Sequence, residues 1–66
     1  MPANVDINTA GIEELKSLPE IGEKTTEKII NKRNKLGSFN SVEDLKLVPG
    51  IGSKTLEKLL PNIRIQ

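Results

Sequence analysis

Apolar residues follow two rhythms along the chain. At the ends they alternate with polar ones, in "VDIN" at 5–8 and "IRIQ" at 63–66. That alternation predicts short extended segments whose Val5, Ile7, Ile63 and Ile65 cover a core. Between the ends the spacing is helical. Stepping about 100° per residue from Lys24 places Thr26, Ile29, Ile30 and Leu36 on one face, which is expected to be the core face. On the same wheel Lys24, Lys28, Lys32 and Lys35 fall within about 80° of arc on another. Arg33 lands in the middle of the apolar face. Its stem is expected to pack, and its guanidinium to reach a carboxylate or a carbonyl. The geometry recurs further on, with Lys54 and Lys58 opposite Leu56, Leu59 and Leu60.

The recurrence reflects a repeat. At an offset of 30, residues 15–30 and 45–60 share nine identities in sixteen positions: Leu15/Leu45, Lys16/Lys46, Pro19/Pro49, Ile21/Ile51, Gly22/Gly52, Lys24/Lys54, Thr25/Thr55, Glu27/Glu57 and Lys28/Lys58. Two copies are too few for a solenoid and suit a pseudo-symmetric pair that buries each other's apolar face. Each copy reads as helix, tight turn, helix. Ser41 with Asp44 resembles a capping box, so a helix should start near Val42; Gly11 is the weaker cap at the matching position. Pro19 and Pro49 end the short first helices, because the residue before proline avoids helical torsions. The second helices begin near Glu23 and Ser53. Gly37 stops the longer one, and Pro61 closes the last. Residues 1–66 are therefore expected to form one all-α domain with short extended termini, its first motif at about 11–36 and its second at about 42–60.

Composition narrows the chemistry. The 66 residues contain no cysteine and no histidine, which removes disulfides, thiol nucleophiles, histidine bases and the usual zinc ligands. No apolar run approaches the roughly 20 residues needed to span a bilayer. Glu13, Glu14, Glu43 and Asp44 lie at helix N-termini, where capping and the helix dipole account for them. No set of base, nucleophile and metal ligands emerges, so no enzyme and no cofactor is expected. The formal charge of +1 announces no partner, so the placement of the charges matters more than their sum. A lysine stripe is ordinarily a solvated helix face. Here, however, the lysines lack an interleaved acid and repel one another slightly, which a polyanion would relieve.

The turns "PEIG" and "PGIG" add to this. As plain connectors they need Gly50 for a positive φ and Gly52 for close helix approach. A glycine-rich turn that leads into a helix also presents unpaired N–H groups to an anion such as phosphate. Lys54, two residues after Gly52, is within reach of the same group, and both copies continue x-Lys-Thr-x-Glu-Lys.

These turns resemble paired helix-hairpin-helix motifs, the (HhH)2 domain of DNA binders without sequence preference. The similarity is closest to the DNA-binding domain of ComEA-type competence proteins, receptors for DNA during transformation. It is carried by "INTA" at 7–10, "EELKSLPEIG" at 13–22, "KII" at 28–30, Arg33, Gly37, Phe39, "SVEDL" at 41–45 and "PGIGSKTLEKL" at 49–59. The resemblance implies an all-helical fold that grips the sugar–phosphate backbone of DNA, double-stranded in the expected case, through both hairpins. It implies no small-molecule substrate and no membrane contact by this segment. For a competence receptor it implies an extracytoplasmic place, membrane-anchored or periplasmic, and otherwise a cytoplasmic one. A monovalent cation on the turn carbonyls is an optional ligand in related hairpins. Carried over by position, the phosphate contacts are Gly50, Ile51, Gly52, Ser53 and Lys54 in the second hairpin and Gly22, Lys24 and Thr25 in the first. Lys28 and Lys58 add charge along the helices. Ile51 and Ile21 should also insert between the helices of their motifs. Phe39, the single aromatic residue, belongs in the core and leaves no platform for base stacking.

Glu20 departs from the pattern where the second copy has Gly50. A type II turn needs a positive φ there, which costs a non-glycine residue about 1 kcal/mol; type I would accept Glu20 without that cost. In either turn a carboxylate stands beside a phosphate site, and Glu23 adds a second. Unequal hairpins follow, with the second dominant. The competing expectation is a structural or protein-interaction module that uses the same motif without binding DNA, which the near-neutral charge and the two hairpin glutamates favour.

Overall fold

The computed structural model describes residues 5–65. The expectations for residues 1–4 and Gln66, including the outer limits of the domain, lie outside the described residues. The chain runs through strand β1 (Val5–Asp6), helix α1 (Ile12–Lys16), helix α2 (Glu23–Leu36), a 3-10 helix (Val42–Leu47), helix α3 (Ser53–Leu59), a 3-10 turn (Leu60–Asn62) and strand β2 (Ile63–Arg64). Helix α1 packs on α2, and the first 3-10 helix packs on α3. The result is a mostly helical domain with a radius of gyration of 10.3 Å.

The alternating ends do meet. Val5 lies beside Ile63 and Asp6 beside Arg64 in a parallel pair, extended by Ile7 N–H donating to the Arg64 carbonyl at 3.2 Å. Val5, Ile7 and Ile63 are buried, and Ile65 packs against the same core. That core also takes Leu15, Leu18, Ile21 and Ile29 from the first motif, and Leu45, Val48, Ile51, Leu56 and Leu59 from the second. The apolar stripes of the two motifs thus fill one interior, as a chain too short for two cores requires.

Two apolar residues do not face the core as the helical wheel places them. Leu36 is 47% exposed. The fourteen residues of α2 span about 21 Å at the helical rise, and its last turn outruns the five-residue α1 packed against it. Leu60 is 45% exposed, because α3 ends at Leu59 and the chain tightens into a 3-10 turn before Pro61. The capping box at Ser41 is also not formed. The first helix of the second motif is 3-10, with Asp44 N–H bonded to the Ser41 carbonyl at 3.0 Å. Its tighter turn carries the Asp44 carboxylate to the Asn40 N–H instead, at 3.0 Å. In the first motif the weaker cap is supported in reverse: Gly11 N–H donates to the Glu14 carboxylate at 3.3 Å. Gly37 stops α2 with φ 88°, as a C-terminal glycine should.

Polar ties fix the N-terminal segment to the rest. Arg33 donates to the carbonyls of Ile7 and Ala10 at 3.0 and 2.9 Å. Its guanidinium thus takes carbonyl partners and pins the segment after β1 onto α2. Asn8 grips the buried Phe39 by both backbone groups, donating to its carbonyl at 3.0 Å and accepting from its N–H at 2.7 Å. The Asp6 carboxylate accepts the Asn8 N–H at 2.9 Å and holds that turn.

Candidate nucleic-acid interface

The two turns are built alike. Ile21 N–H donates to the Leu18 carbonyl at 3.2 Å, and Ile51 N–H donates to the Val48 carbonyl at 3.0 Å. Glu20 has φ 64° and Gly50 φ 100°. The third turn position is therefore left-handed in both, as type II requires, and Glu20 carries that strain. Each turn opens into a glycine N-cap with nearly the same torsions, φ −100° and ψ −167° at Gly22, φ −105° and ψ −170° at Gly52. The first helical bonds are Thr26 N–H to the Gly22 carbonyl and Leu56 N–H to the Gly52 carbonyl, both 2.9 Å. The N–H groups of residues 23–25 and 53–55 precede them and have no intrahelical partner.

Neither turn is walled in. Gly22, Lys24, Gly50, Gly52, Ser53 and Lys54 are exposed. A Cβ added at Gly22 or Gly52 would meet nothing within 4 Å. Gly52 is thus not required for close helix approach, contrary to the plain-connector expectation. Its φ of −105° suits any residue. Ile51 is buried and its N–H is spent inside the turn, as is that of Ile21. Ile51 therefore anchors the hairpin from within, and the outward groups are those of Gly52, Ser53 and Lys54.

The turns also exchange partners between motifs. Thr25 is half-buried and stands against the other hairpin, its Oγ1 3.9 Å from where a Cβ on Gly50 would lie. Lys28, Asn31, Lys32 and Lys35 line one groove with Pro49, so the α2 lysine stripe flanks the second turn. Ser53 and Lys54 line a second groove with Lys46 and Glu57 over Leu56 and Leu60. In the reciprocal place, Lys58 Nζ donates to Glu20 Oε2 at 2.6 Å, and Thr55 Oγ1 donates to Glu20 Oε1 at 3.4 Å. The hydrogen bond and the charge of Lys58 hold the Glu20 carboxyl below its ordinary value of 4.5, and Glu20 in turn raises Lys58 above 10.5. Lys58, expected to add charge for DNA, is thus an ion-pair partner of Glu20 within the chain. No sequence signal fixes that pair. The nearest hint is that both copies keep Thr and Lys at the same distances after the turn.

Among the described residues no group of three or more His, Cys, Asp or Glu side chains could hold a metal ion, and no helix is long and apolar enough to cross a membrane. Fold and turns together define a small helical domain that offers exposed backbone bends flanked by lysines. A sequence model of the helix-hairpin-helix motif matches residues 3–64, and the chain belongs to that family. The motif is commonly associated with nucleic-acid binding. A comparison with curated proteins finds no match.

Proposed function

We propose that this domain binds DNA by its sugar–phosphate backbone without sequence preference, and that it serves as the DNA-receptor module of a competence-type uptake system. In this reading the hairpins are related by an internal near-two-fold, and the second carries most of the contact to a duplex. Gly52, Ser53 and Lys54 approach one phosphate, while Lys28, Lys32 and Lys35 follow the strand past Pro49. The domain holds its ligand and catalyses nothing.

The observation that carries the reading is the open second turn. Gly52 is as open as Gly22, but its turn carries Gly50 in place of the Glu20 carboxylate, and Lys54 beside it is exposed. Backbone recognition gives binding that weakens with salt, with a logarithmic slope of about −0.9 per phosphate neutralised. Titration of duplexes of unrelated sequence across a salt series tests it. Equal affinities are expected, with a slope that falls by about one unit in Lys54→Ala. Absence of binding at low salt would sink the reading, and an unchanged slope would remove Lys54 from the site.

The paired carboxylate at the first hairpin favours a second reading, in which the module joins proteins and leaves DNA alone. Glu20 has spent Lys58 within the chain, and the net charge is only +1. The same titration separates the two readings.

A further inference from the structure

Glu20 places a carboxylate where its turn faces the other motif. One oxygen takes the Lys58 ammonium at 2.6 Å and the other takes the Thr55 hydroxyl at 3.4 Å. A phosphodiester also presents two anionic oxygens to such donors. The same arrangement stands beside the second turn without its acid. Thr25 faces Gly50, which has no side chain to offer, and Lys28 lines the groove beside Pro49. Chain geometry does not call for the acid, since φ 64° at Glu20 is a conformation that side-chain-bearing residues rarely adopt. A glycine would sit there without strain, as Gly50 does.

We infer that Glu20 is an internal phosphate surrogate, a built-in anion that occupies the Thr55–Lys58 cradle and keeps the first hairpin from taking a DNA phosphate. The inference rests on the DNA-binding reading and adds to it a masked second phosphate site. It makes the domain a one-hairpin binder whose affinity is set below what its fold allows.

The test is a salt-dependent duplex titration of the whole chain and of Glu20→Gln, Glu20→Gly, Lys58→Ala, the double variant Glu20→Gln with Lys58→Ala, and Glu27→Gln. Glutamine keeps the side-chain size and removes the charge, and glycine removes the strain; circular dichroism checks that each folds. Glu27 is exposed on α2, and its replacement changes net charge equally. Unmasking should steepen the slope by about 0.9 and raise affinity about tenfold at about 50 mM salt. Lys58→Ala alone should not strengthen binding, and in the double variant it should abolish the gain. Equal gains from Glu27→Gln would reduce the effect to net charge and overturn the inference. So would an unaltered slope in both Glu20 variants, or a gain that persists in the double variant. If the parent fails to bind and the Glu20 variants bind, the masked site stands while the open second hairpin fails. If none binds, both fail.

Discussion

Glu20 and Gly50 occupy equivalent points of two turns that share a hydrogen-bond pattern and a left-handed torsion, φ 64° and 100°. Around Gly50 the surface is bare and lysines flank it. Around Glu20 the one nearby lysine described as paired, Lys58, is already neutralised. Both turns present free backbone donors to solvent, and a single side chain decides whether a paired carboxylate stands beside them. Fold and function separate at this point. What the turns need in order to form is common to both copies, while in the proposed reading what they need in order to bind is left to one.

The widest effect expected is on the common part. Ile21 and Ile51 are 5% and 3% exposed, and each anchors its hairpin in the core. Ile21→Ala and Ile51→Ala should each cost about 2–5 kcal/mol. That is a large share of the roughly 3–10 kcal/mol such a chain has in total. Urea unfolding checks it. Costs that differ by more than about 1 kcal/mol would show that the hairpins are not packed alike.

The next comparison isolates binding. Gly22→Ala and Gly52→Ala place a methyl group in open space. Each should cost stability less than about 1 kcal/mol, the loss of a tolerable N-cap. Gly52→Ala should weaken duplex binding about tenfold at about 50 mM salt, the worth of one phosphate contact, and Gly22→Ala should barely change it. Equal losses from the two would mean that the hairpins share the load despite Glu20.

A third difference lies inside. Thr26 and Leu56 are equivalent in the repeat, both buried, yet the Thr26 hydroxyl has no hydrogen-bond partner among the described residues. A buried unpaired hydroxyl costs on the order of 1–3 kcal/mol. Thr26→Val keeps the shape and removes the hydroxyl, so thermal melting should show a gain of about 1 kcal/mol. A loss would mean that the hydroxyl is satisfied, by a water for example.

Much of this was legible in the sequence because it rests on local spacing. The repeat, the two turns, the glycine stop at Gly37 and the buried alternation of Val5, Ile7 and Ile63 are all short-range patterns. So was the strain at Glu20, narrowed to two turn types by Pro19 and settled by the torsion. Contacts between distant segments were not legible. Spacing along α2 placed Arg33 among apolar residues but could not name Ile7 and Ala10 as its acceptors. The clamp of Asn8 on Phe39 spans 31 residues, and the Glu20–Lys58 pair spans 38. That pair altered the site most. The Glu20 carboxylate stands beside its own turn as its position implies, but its charge is met by Lys58 of the other motif, which no local spacing shows.

The smallest expected effect concerns that pair, and its sign follows from the shifts. Glu20 is lowered below 4.5, so its contribution to stability is fully present above the unfolded carboxyl value and is lost as pH falls through the lower folded one. Lys58 is raised above 10.5, so its share is fully present below that value and is lost as pH rises through the higher folded one. Between these limits the parent chain keeps a charge interaction that Glu20→Gln lacks, and both groups are exposed, so salt weakens it. Melting temperatures of parent and Glu20→Gln should therefore differ near neutral pH and converge toward both extremes, with the gap narrowing in high salt. Glu20→Gly adds the opposing relief of left-handed strain, which does not titrate. Its difference from Glu20→Gln should stay flat with pH, and a difference that titrates would mean that glutamine still holds Lys58 in place.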